Sequence, residues 1–257
     1  MEEPVYVYVV GTAGSGKSRF TAAFQRWLKE RGLDAVTVNL DPGAEALPYA
    51  PDVDIRDWIR LSDVMDQYEL GPNGAQVMAA DLVALRLGEI EQILGEFRAP
   101  YVLVDTPGQT ELFVFRESGR ITMEMLQPKR SVIVFLMDPF LARKPNAFVS
   151  LLMLSATTQF RFGVPLVNVF TKSDLLKAEE RERLAAWSGQ PESLEDALSA
   201  EAPDLYTQMT TDAHRILSAL NAQPQASSVS SETLDGFEDV YAVVQELFGA
   251  GEDLKSD

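Results

Sequence analysis

Short apolar runs alternate with amphipathic stretches along the chain. The apolar runs, rich in β-branched residues, predict six strands at residues 5–10, 35–40, 101–104, 131–137, 165–170 and 227–229. The amphipathic stretches predict a helix after the first strand, ending at Gly32, and further helices at 54–67, 75–97, 117–127, 145–162, 173–187 and 235–248. Near-continuous apolar strands that alternate with helices are typical of parallel sheets. The pattern predicts an α/β fold of three layers, with a mostly parallel central sheet flanked by helices and with ligands at the carboxyl ends of the strands.

The whole chain, residues 1–257, is predicted to form a single domain around this sheet, with two additions. The first is a helical insertion at 53–98, where two helices stand in place of one crossover helix. The run Gly71, Pro72, Asn73 lies between these two helices. Proline fixes φ and asparagine accommodates a tight turn, so the run is predicted to form a stiff tip. A simple helix-to-helix turn is the alternative interpretation.

A second helical insertion is predicted at 178–224. It is acidic, because the stretch between Arg183 and Arg215 carries several Asp and Glu residues and no Lys or Arg. Such a run is typical of solvated helix faces, and a docking surface for a basic partner is the alternative. The last residues, 249–257, are predicted to form a flexible tail.

Composition narrows the classes of function. The chain has no cysteine, which excludes disulfides, thiolate catalysis and cysteine-bound zinc. Its one histidine, His214, is interpreted as a packing or surface residue, and a lone histidine cannot form a histidine-rich metal site. The formal net charge of −17 and the lack of a basic run argue against direct nucleic-acid binding. No apolar run is long enough to span a bilayer and no basic signal region opens the chain, so we expect no membrane association and a cytoplasmic location.

The segment GTAGSGKS follows the first strand and precedes a helix, which is the context of a phosphate-binding loop. Its backbone N–H groups can surround a β-phosphate, Lys17 can reach the β and γ oxygens, and Ser18 can ligate Mg²⁺. The alternative is a glycine-rich turn whose lysine faces solvent. The candidate phosphate-binding residues are Ala13, Gly14, Ser15, Gly16, Lys17 and Ser18.

The segment DTPGQTE follows the third predicted strand. Asp105 at the end of a buried strand needs a cationic or hydrogen-bonding partner, and Mg²⁺ is the natural one. The Gly108 N–H can bind a γ-phosphate, and Gln109 can orient an attacking water. Glu111 is a further candidate for holding that water, or it caps the following helix. By itself the segment could also be an ordinary turn at a strand end.

The segment TKSD follows the fifth predicted strand and approximates the guanine-reading N-K-x-D motif. Asp174 can accept hydrogen bonds from N1–H and the 2-amino group of guanine, while the stem of Lys172 can cover the base. Thr171 stands where asparagine is usual. Ser230, after the sixth strand, lies where a loop would approach the guanine oxygen. Helix N-caps are the alternative interpretation of both segments.

Taken in order, the phosphate loop, NLDPGAE, DIRDWI, GPN, DTPGQTE and TKSD resemble the GPN-loop GTPases, in particular archaeal homodimeric members, over most of the chain. The resemblance implies a P-loop NTPase fold and a homodimer in which Gly71, Pro72 and Asn73 cross the interface to the phosphates of the other subunit. It also implies Mg²⁺ as cofactor, GTP and GDP as substrate and product, and possible protein clients such as RNA polymerase assembly components. Two positions depart from the family pattern: Gly43 replaces alanine, and Thr171 replaces asparagine.

Asp41, in NLDPGAE, resembles the acidic residue that this class places near metal-bound or attacking water; an Asp-Pro turn is the alternative. The amide of Asn73 is neutral, so we expect it to accelerate hydrolysis by about 10²–10³, less than an arginine finger. The sequence therefore predicts slow Mg²⁺-dependent GTP hydrolysis by a homodimeric switch or assembly factor. An ATP-dependent P-loop hydrolase or kinase and a nucleotide-stabilised protein-binding scaffold are the alternatives.

Overall fold

The computed structural model describes residues 3–126, 128–219 and 226–248. A single sheet of seven parallel strands forms its middle layer, in the order β3-β2-β4-β1-β5-β6-β7. The strands are β1 (Val5–Gly11), β2 (Ala35–Asn39), β3 (Val53–Asp54), β4 (Tyr101–Asp105), β5 (Ser131–Met137), β6 (Leu166–Phe170) and β7 (Ser227–Ser228). The predicted three-layer α/β architecture is confirmed.

Helices cover both faces of this sheet. They are α1 (Lys17–Lys29), α2 (Leu61–Tyr68), α3 (Pro72–Val83), α4 (Leu87–Leu94), α5 (Thr110–Val114), α6 (Glu117–Met125), α7 (Pro145–Phe162), α8 (Ala178–Gly189), α9 (Pro191–Ser199), α10 (Leu205–Ala219) and α11 (Phe237–Phe248). Within the described ranges, no helix is both long and apolar enough to cross a membrane.

The side chains of the central strand β1 alternate between two apolar cores. Val5, Val7 and Val9 point to the core formed with α1 and α11, where Phe24 stacks on Phe237. The intervening tyrosines and valine of β1 belong to the larger core on the opposite face. Burial on both faces explains why the strand reads as a continuous apolar run. It also fixes the carboxyl end of β1, from which the phosphate loop emerges.

The predicted helix at 54–67 is partly wrong. Its first residues pair with β2 as the short strand β3, a 3-10 turn follows, and only then does α2 begin. The Asn39 side chain donates to Asp54 Oδ1 at 2.8 Å, and the Arg56 guanidinium forms an ion pair with the same carboxylate. The contact with Asn39, 15 residues earlier on β2, stabilises an extended segment that local propensity did not reveal.

The run Gly71, Pro72, Asn73, predicted to form a stiff tip ahead of a helix that starts at residue 75, is instead the beginning of that helix. Gly71 is the N-cap of α3 and Pro72 is its first residue, so that Asn73 lies in the first helical turn. Proline suits this position because its missing N–H would have no helical partner and its φ is already helical. The single helix predicted at 75–97 is divided into α3, a 3-10 turn and α4.

Other boundaries shift by a few residues. The helix predicted at 173–187 is a 3-10 turn followed by α8, and the one predicted at 235–248 begins later, as α11. The short helix α5 was not predicted. The predicted end of the helix at 117–127 falls on residue 127, which lies outside the described residues.

The acidic segment predicted at 178–224 contains α8, α9 and α10, and each packs one face against the core. Its buried residues include Leu184, Trp187, Leu194, Leu198, His214 and Leu217. His214 is therefore a packing residue, and burial lowers the pKa of its imidazole. Residues 220–224 of this segment and the predicted tail at 249–257 lie outside the described residues.

Candidate functional site

The phosphate loop connects β1 to α1 at the carboxyl edge of the sheet. Gly14 and Gly16 adopt positive φ angles of 77° and 93°, which favour glycine. Lys17 begins α1, and its ammonium group donates to the carbonyls of Gly11 at 2.9 Å and Gly108 at 2.7 Å. Burial lowers the pKa of Lys17 to about 8, although nearby carboxylates, Asp105 foremost, counteract this shift. The lysine thus joins the phosphate loop to the loop after β4.

Asp105 ends β4 beside β1 and is 1% exposed. Burial raises the pKa of this carboxyl to about 6, although hydrogen bonds from Ser18 and Tyr49 counteract the shift. The Tyr49 hydroxyl donates to Oδ2 at 3.0 Å, whereas the buried Oδ1 has no hydrogen-bond partner among the described residues. Burial of the ionised Asp105 carboxylate is therefore costly, because only part of its hydrogen-bonding capacity is used. This carboxylate lies next to the Ser18 hydroxyl.

This pair of side chains fits a Mg²⁺ ion. Mg²⁺ prefers oxygen ligands and is usually held in nucleotide sites by one or two protein oxygens, with phosphate oxygens and water completing its coordination. Asp105 and Ser18 supply such oxygens, and Asp105 Oδ1 is an unpaired buried acceptor. Elsewhere in the described parts of the chain, no group of three or more acidic or histidine side chains could hold a metal.

Hydrogen bonds hold the loop after β4 at both ends and in the middle. The buried hydroxyls of Thr106 and Thr110 donate to the carbonyls of Val9 and Gly11, each at 2.7 Å. Between them, the Gly108 N–H donates to Asp41 Oδ2 at 2.9 Å. A γ-phosphate oxygen would compete with this carboxylate for the same N–H. The carboxylate of Asp41 therefore lies against the predicted γ-phosphate contact.

The two other predicted water-holding side chains are exposed. The Gln109 side chain donates to the side-chain oxygen of Gln76, on α3, at 2.8 Å. Glu111 lies in the first turn of α5, the helix that follows. Its negative charge raises the pKa of Lys17, against the lowering that burial causes. Asn73 is also exposed, and its side chain makes no hydrogen bond within the part of the chain that the structure describes.

The TKSD segment lies against the phosphate loop. The buried Thr171 hydroxyl donates to the Ser15 carbonyl at 2.8 Å. The Lys172 ammonium donates to the Gly14 carbonyl and to Asp138 Oδ2, both at 2.8 Å. Thr171, which replaces the usual asparagine, thus fastens this segment to the phosphate loop by its hydroxyl.

The exposed Asp174 is oriented from β7. The buried Ser230 hydroxyl donates to Asp174 Oδ1 at 2.7 Å, and the Ser230 oxygen accepts the N–H of Thr233 at 3.1 Å. The Ser230 side chain thus holds the carboxylate of Asp174, and the predicted approach of this loop to the guanine oxygen stays a prediction. The second carboxylate oxygen of Asp174 takes no part in the hydrogen bond with Ser230.

Most of the predicted phosphate-binding and base-reading residues line one groove of about 1250 Å³. Gly14 to Ser18 and Gly108 of the first set and Thr171, Lys172 and Asp174 of the second are in its lining, whereas Ala13 and Ser230 are not. Parallel strands bring these segments together, since β1, β4 and β6 all end at this edge. The groove can accommodate a nucleoside triphosphate across the strand ends.

Three residues around the site were missed from the sequence: Tyr49, Gln76 and Asp138. Asp138 directly follows an apolar strand, a position that could have marked it. Tyr49 and Gln76 carry no comparable local signal. They reach the site by folding of the segment between β2 and β4 over the carboxyl edge.

Comparisons with known proteins identify the family of this chain. A family model described as "Conserved hypothetical ATP binding protein" matches residues 9–250. The chain is 32% identical to a GPN-loop GTPase of Pyrococcus abyssi over 96% of its own length and 99% of that protein. It is 28% identical to GPN-loop GTPase 1 of Dictyostelium discoideum over 93% of its length, but spans only 60% of that relative.

A solved structure is also similar. The crystal structure of a Pyrococcus abyssi GTPase in apo form matches with a TM-score of 0.86 and 31% sequence identity, covering 96% of this chain and 98% of that one. The match spans the whole sheet with its flanking helices, and the GPN run, the phosphate loop and the DTPGQ loop are all present. The chain therefore belongs to the family of GPN-loop GTPases, which have a P-loop NTPase fold.

Proposed function

We propose that this protein binds GTP in the groove and hydrolyses it slowly to GDP and phosphate, as a homodimer. One observation carries the proposal: Lys17, Ser18 and Gly108 line the same groove as Asp174. Asp105 lies beside Lys17 and Ser18. This groove suits a nucleotide whose triphosphate meets the phosphate loop and whose guanine meets Asp174. The names of the relatives, which describe GTPases, agree with this assignment.

Different residues of the chain contact different parts of the triphosphate. The backbone N–H groups of Ala13 to Gly16 and the helix dipole of α1 bind the β-phosphate. Lys17 exchanges its carbonyl partners for the β and γ oxygens, and the negative phosphate raises the pKa that burial has lowered. The Gly108 N–H exchanges Asp41 for the γ-phosphate, which frees Asp41 to hold the attacking water. Gln109 and Glu111 stand on the same side as further groups for orienting that water.

Ser18 and Asp105 would hold Mg²⁺, which supplies neutralisation of the charge that develops between the β and γ phosphates. The unpaired Oδ1 of Asp105 is available to the ion while Tyr49 keeps its contact with Oδ2.

Base selection follows from Asp174. Its free oxygen and the Ser230-bound oxygen can together accept the two guanine donors, which adenine does not present. A site that hydrogen-bonds its substrate can reject an analogue lacking those groups by about 10⁴ or more. An ATP-dependent hydrolase or kinase is the competing function, and the description of the family model names ATP. Titration with fluorescent GTP and ATP analogues separates the two; equal affinity for both would refute the guanine assignment.

Action in trans is supported by the exposure of Asn73 on the first turn of α3. We propose that this amide enters the phosphate site of a second copy and donates to the transferring phosphate. The test mixes Asn73→Ala protein with Lys17→Ala protein. Each variant alone should be nearly inactive, whereas random 1:1 dimers should recover about one quarter of the wild-type rate per subunit, since half are mixed and each has one complete site. No recovery despite subunit exchange would refute action in trans.

Slow hydrolysis at a shared interface suits a switch or assembly factor, in which the γ-phosphate biases two subunit arrangements. The proposal includes protein clients of this switch, such as RNA polymerase assembly components. The rival is a scaffold that nucleotide merely stabilises. Multiple-turnover GTP hydrolysis with and without a candidate client distinguishes them, because a switch couples turnover to client release and a scaffold does not.

A further inference from the structure

The helix that begins with the GPN run contacts the phosphate-sensing loop of its own subunit. Gln76 lies one turn after Asn73 on α3, and its side-chain oxygen accepts the amide N–H of Gln109 at 2.8 Å. Gln76 is half-buried and Gln109 is exposed, so water can replace this bond at little cost to folding. The main effect of this hydrogen bond is therefore on the orientation of the Gln109 side chain.

The two amides border a small cavity beside the γ-phosphate contact. The cavity has a volume of about 70 Å³ and is lined by Asp41, Gly108, Gln109 and Gln76 together with apolar side chains. A water needs roughly 10–15 Å³ of such space and two to four polar partners, so this cavity can hold one. The position is next to the N–H that would bind the γ-phosphate, and the lining supplies a carboxylate and two amides.

A second contact fastens the same helix to the same segment. The Arg116 guanidinium binds the Asp81 carboxylate in a bidentate pair, with Nε to Oδ1 at 2.8 Å. Arg116 follows α5, and Asp81 lies on α3 below Gln76. Two separate contacts therefore join α3 to the chain between Gln109 and Arg116, so that α3 and this segment are expected to move together.

We propose that Gln76 is a positioning residue for hydrolysis. It holds the Gln109 amide over the water cavity, and it transmits movement of Gly108 and Gln109 to the helix that carries Asn73. The GPN tip that serves the neighbouring subunit is thereby linked to the state of the γ-phosphate in its own subunit. This inference rests on the proposed GTPase function.

The test compares Gln76→Leu with the wild type, using Gln92→Leu on α4 as a matched control. Gln92 is an exposed helical glutamine that lines neither the groove nor the cavity, and leucine maintains helix propensity at both positions. Loss of one orienting hydrogen bond should lower kcat by about tenfold with KM and Tm unchanged. Gln76→Leu combined with Gln109→Ala should be no slower than Gln109→Ala alone, because Gln76 acts through Gln109. An unchanged kcat in Gln76→Leu, or multiplicative losses in the double variant, overturns the proposal.

Hydrogen exchange gives a readout that does not require hydrolysis. Replacing GDP by a non-hydrolysable GTP analogue should change amide protection along 77–83 in the wild type and in Gln92→Leu, but much less in Gln76→Leu. An identical response in all three proteins overturns the proposed link. A wild type that binds the analogue but never turns over GTP refutes the proposed function instead, and this exchange experiment still decides the link.

Discussion

Replacing Asp105 by Asn should make the nucleotide-free protein more stable while removing its ability to bind Mg²⁺-GTP. Asp105 is 1% exposed at the end of β4, and one of its oxygens has no hydrogen-bond partner among the described residues. The amide has nearly the same shape and can still accept the Tyr49 hydroxyl. The substitution therefore removes a buried charge without leaving a cavity.

The magnitude follows from the pKa of this carboxyl. Burial raises the pKa from 3.8 to about 6. The folded state then binds more protons than the unfolded state between these values, so stability falls as the pH rises through this window, and the loss is complete above about pH 6. At about 1.4 kcal/mol for each tenfold change in proton affinity, the ionised carboxylate lowers the free energy of unfolding by about 3 kcal/mol at pH 7. We expect Asp105→Asn to recover about 2–3 kcal/mol of this, with a Tm about 5–10 °C higher.

Urea unfolding measures the difference, with a metal chelator present and protein concentration fixed. Trp27 and Trp187, 2% and 5% exposed, provide the fluorescence signal. The advantage of Asp105→Asn over the wild type should shrink to about 1 kcal/mol at pH 4.5, because the wild-type carboxyl is then protonated in the folded protein while that of the unfolded chain, with a pKa of 3.8, is still mostly ionised. Asp34→Asn, at an exposed position before β2, is the control and should change little at either pH.

Two results would refute the reasoning. If Asp105→Asn were no more stable than the wild type at pH 7, burial of the charge would not be costly, and the carboxylate would have to be satisfied by a partner that the structure does not contain. If the advantage were the same at pH 4.5, ionisation would not be its source. The expected gain in stability with loss of function would mark Asp105 as a residue retained for its ligand.

Further predictions concern the two ends of the groove. Ser230→Ala removes the hydroxyl that orients Asp174, so affinity for GTP should fall by about 3–10-fold while affinity for ATP stays the same, as measured by competition binding. Because burial lowers the pKa of Lys17 to about 8, part of the protein carries a neutral amine at pH 8.5, and binding of a triphosphate should be accompanied by uptake of a proton. Calorimetry in buffers of different ionisation enthalpy measures this uptake, which Lys17→Met should abolish. Thr171→Val leaves the Ser15 carbonyl without its buried donor and should cost about 1–3 kcal/mol of stability by urea unfolding, whereas Thr171→Ser should cost much less.

The phosphate loop and the parallel sheet were predictable because they depend on local patterns. A strand buried on both faces reads as an apolar run, and a phosphate loop needs glycines, a lysine and a serine at fixed spacing. The placement of Lys17 and Asp174 along one groove was predictable as well, since parallel strands place their carboxyl ends at one edge. These predictions needed no knowledge of which helices pack against which strands.

The segment between β2 and β4 was predicted less well. Asp54 reads as part of a helix, but its pairing with Asn39 and Arg56 creates a strand. Pro72 reads as a turn residue, but a proline also fits the first position of a helix. In both cases the sequence allows two local structures, and for Asp54 the contact with Asn39 on β2, 15 residues away, decides between them.

The sequence by itself determined the α/β fold, most of its strands and helices, and the family. Only the tertiary structure decided that Asp41 contacts the Gly108 N–H, that Tyr49 reaches Asp105, and that Gln76 holds Gln109. The physical reason is separation along the chain. Each of these hydrogen bonds joins residues more than thirty positions apart, and no periodicity or motif encodes such a contact until the intervening helices have packed.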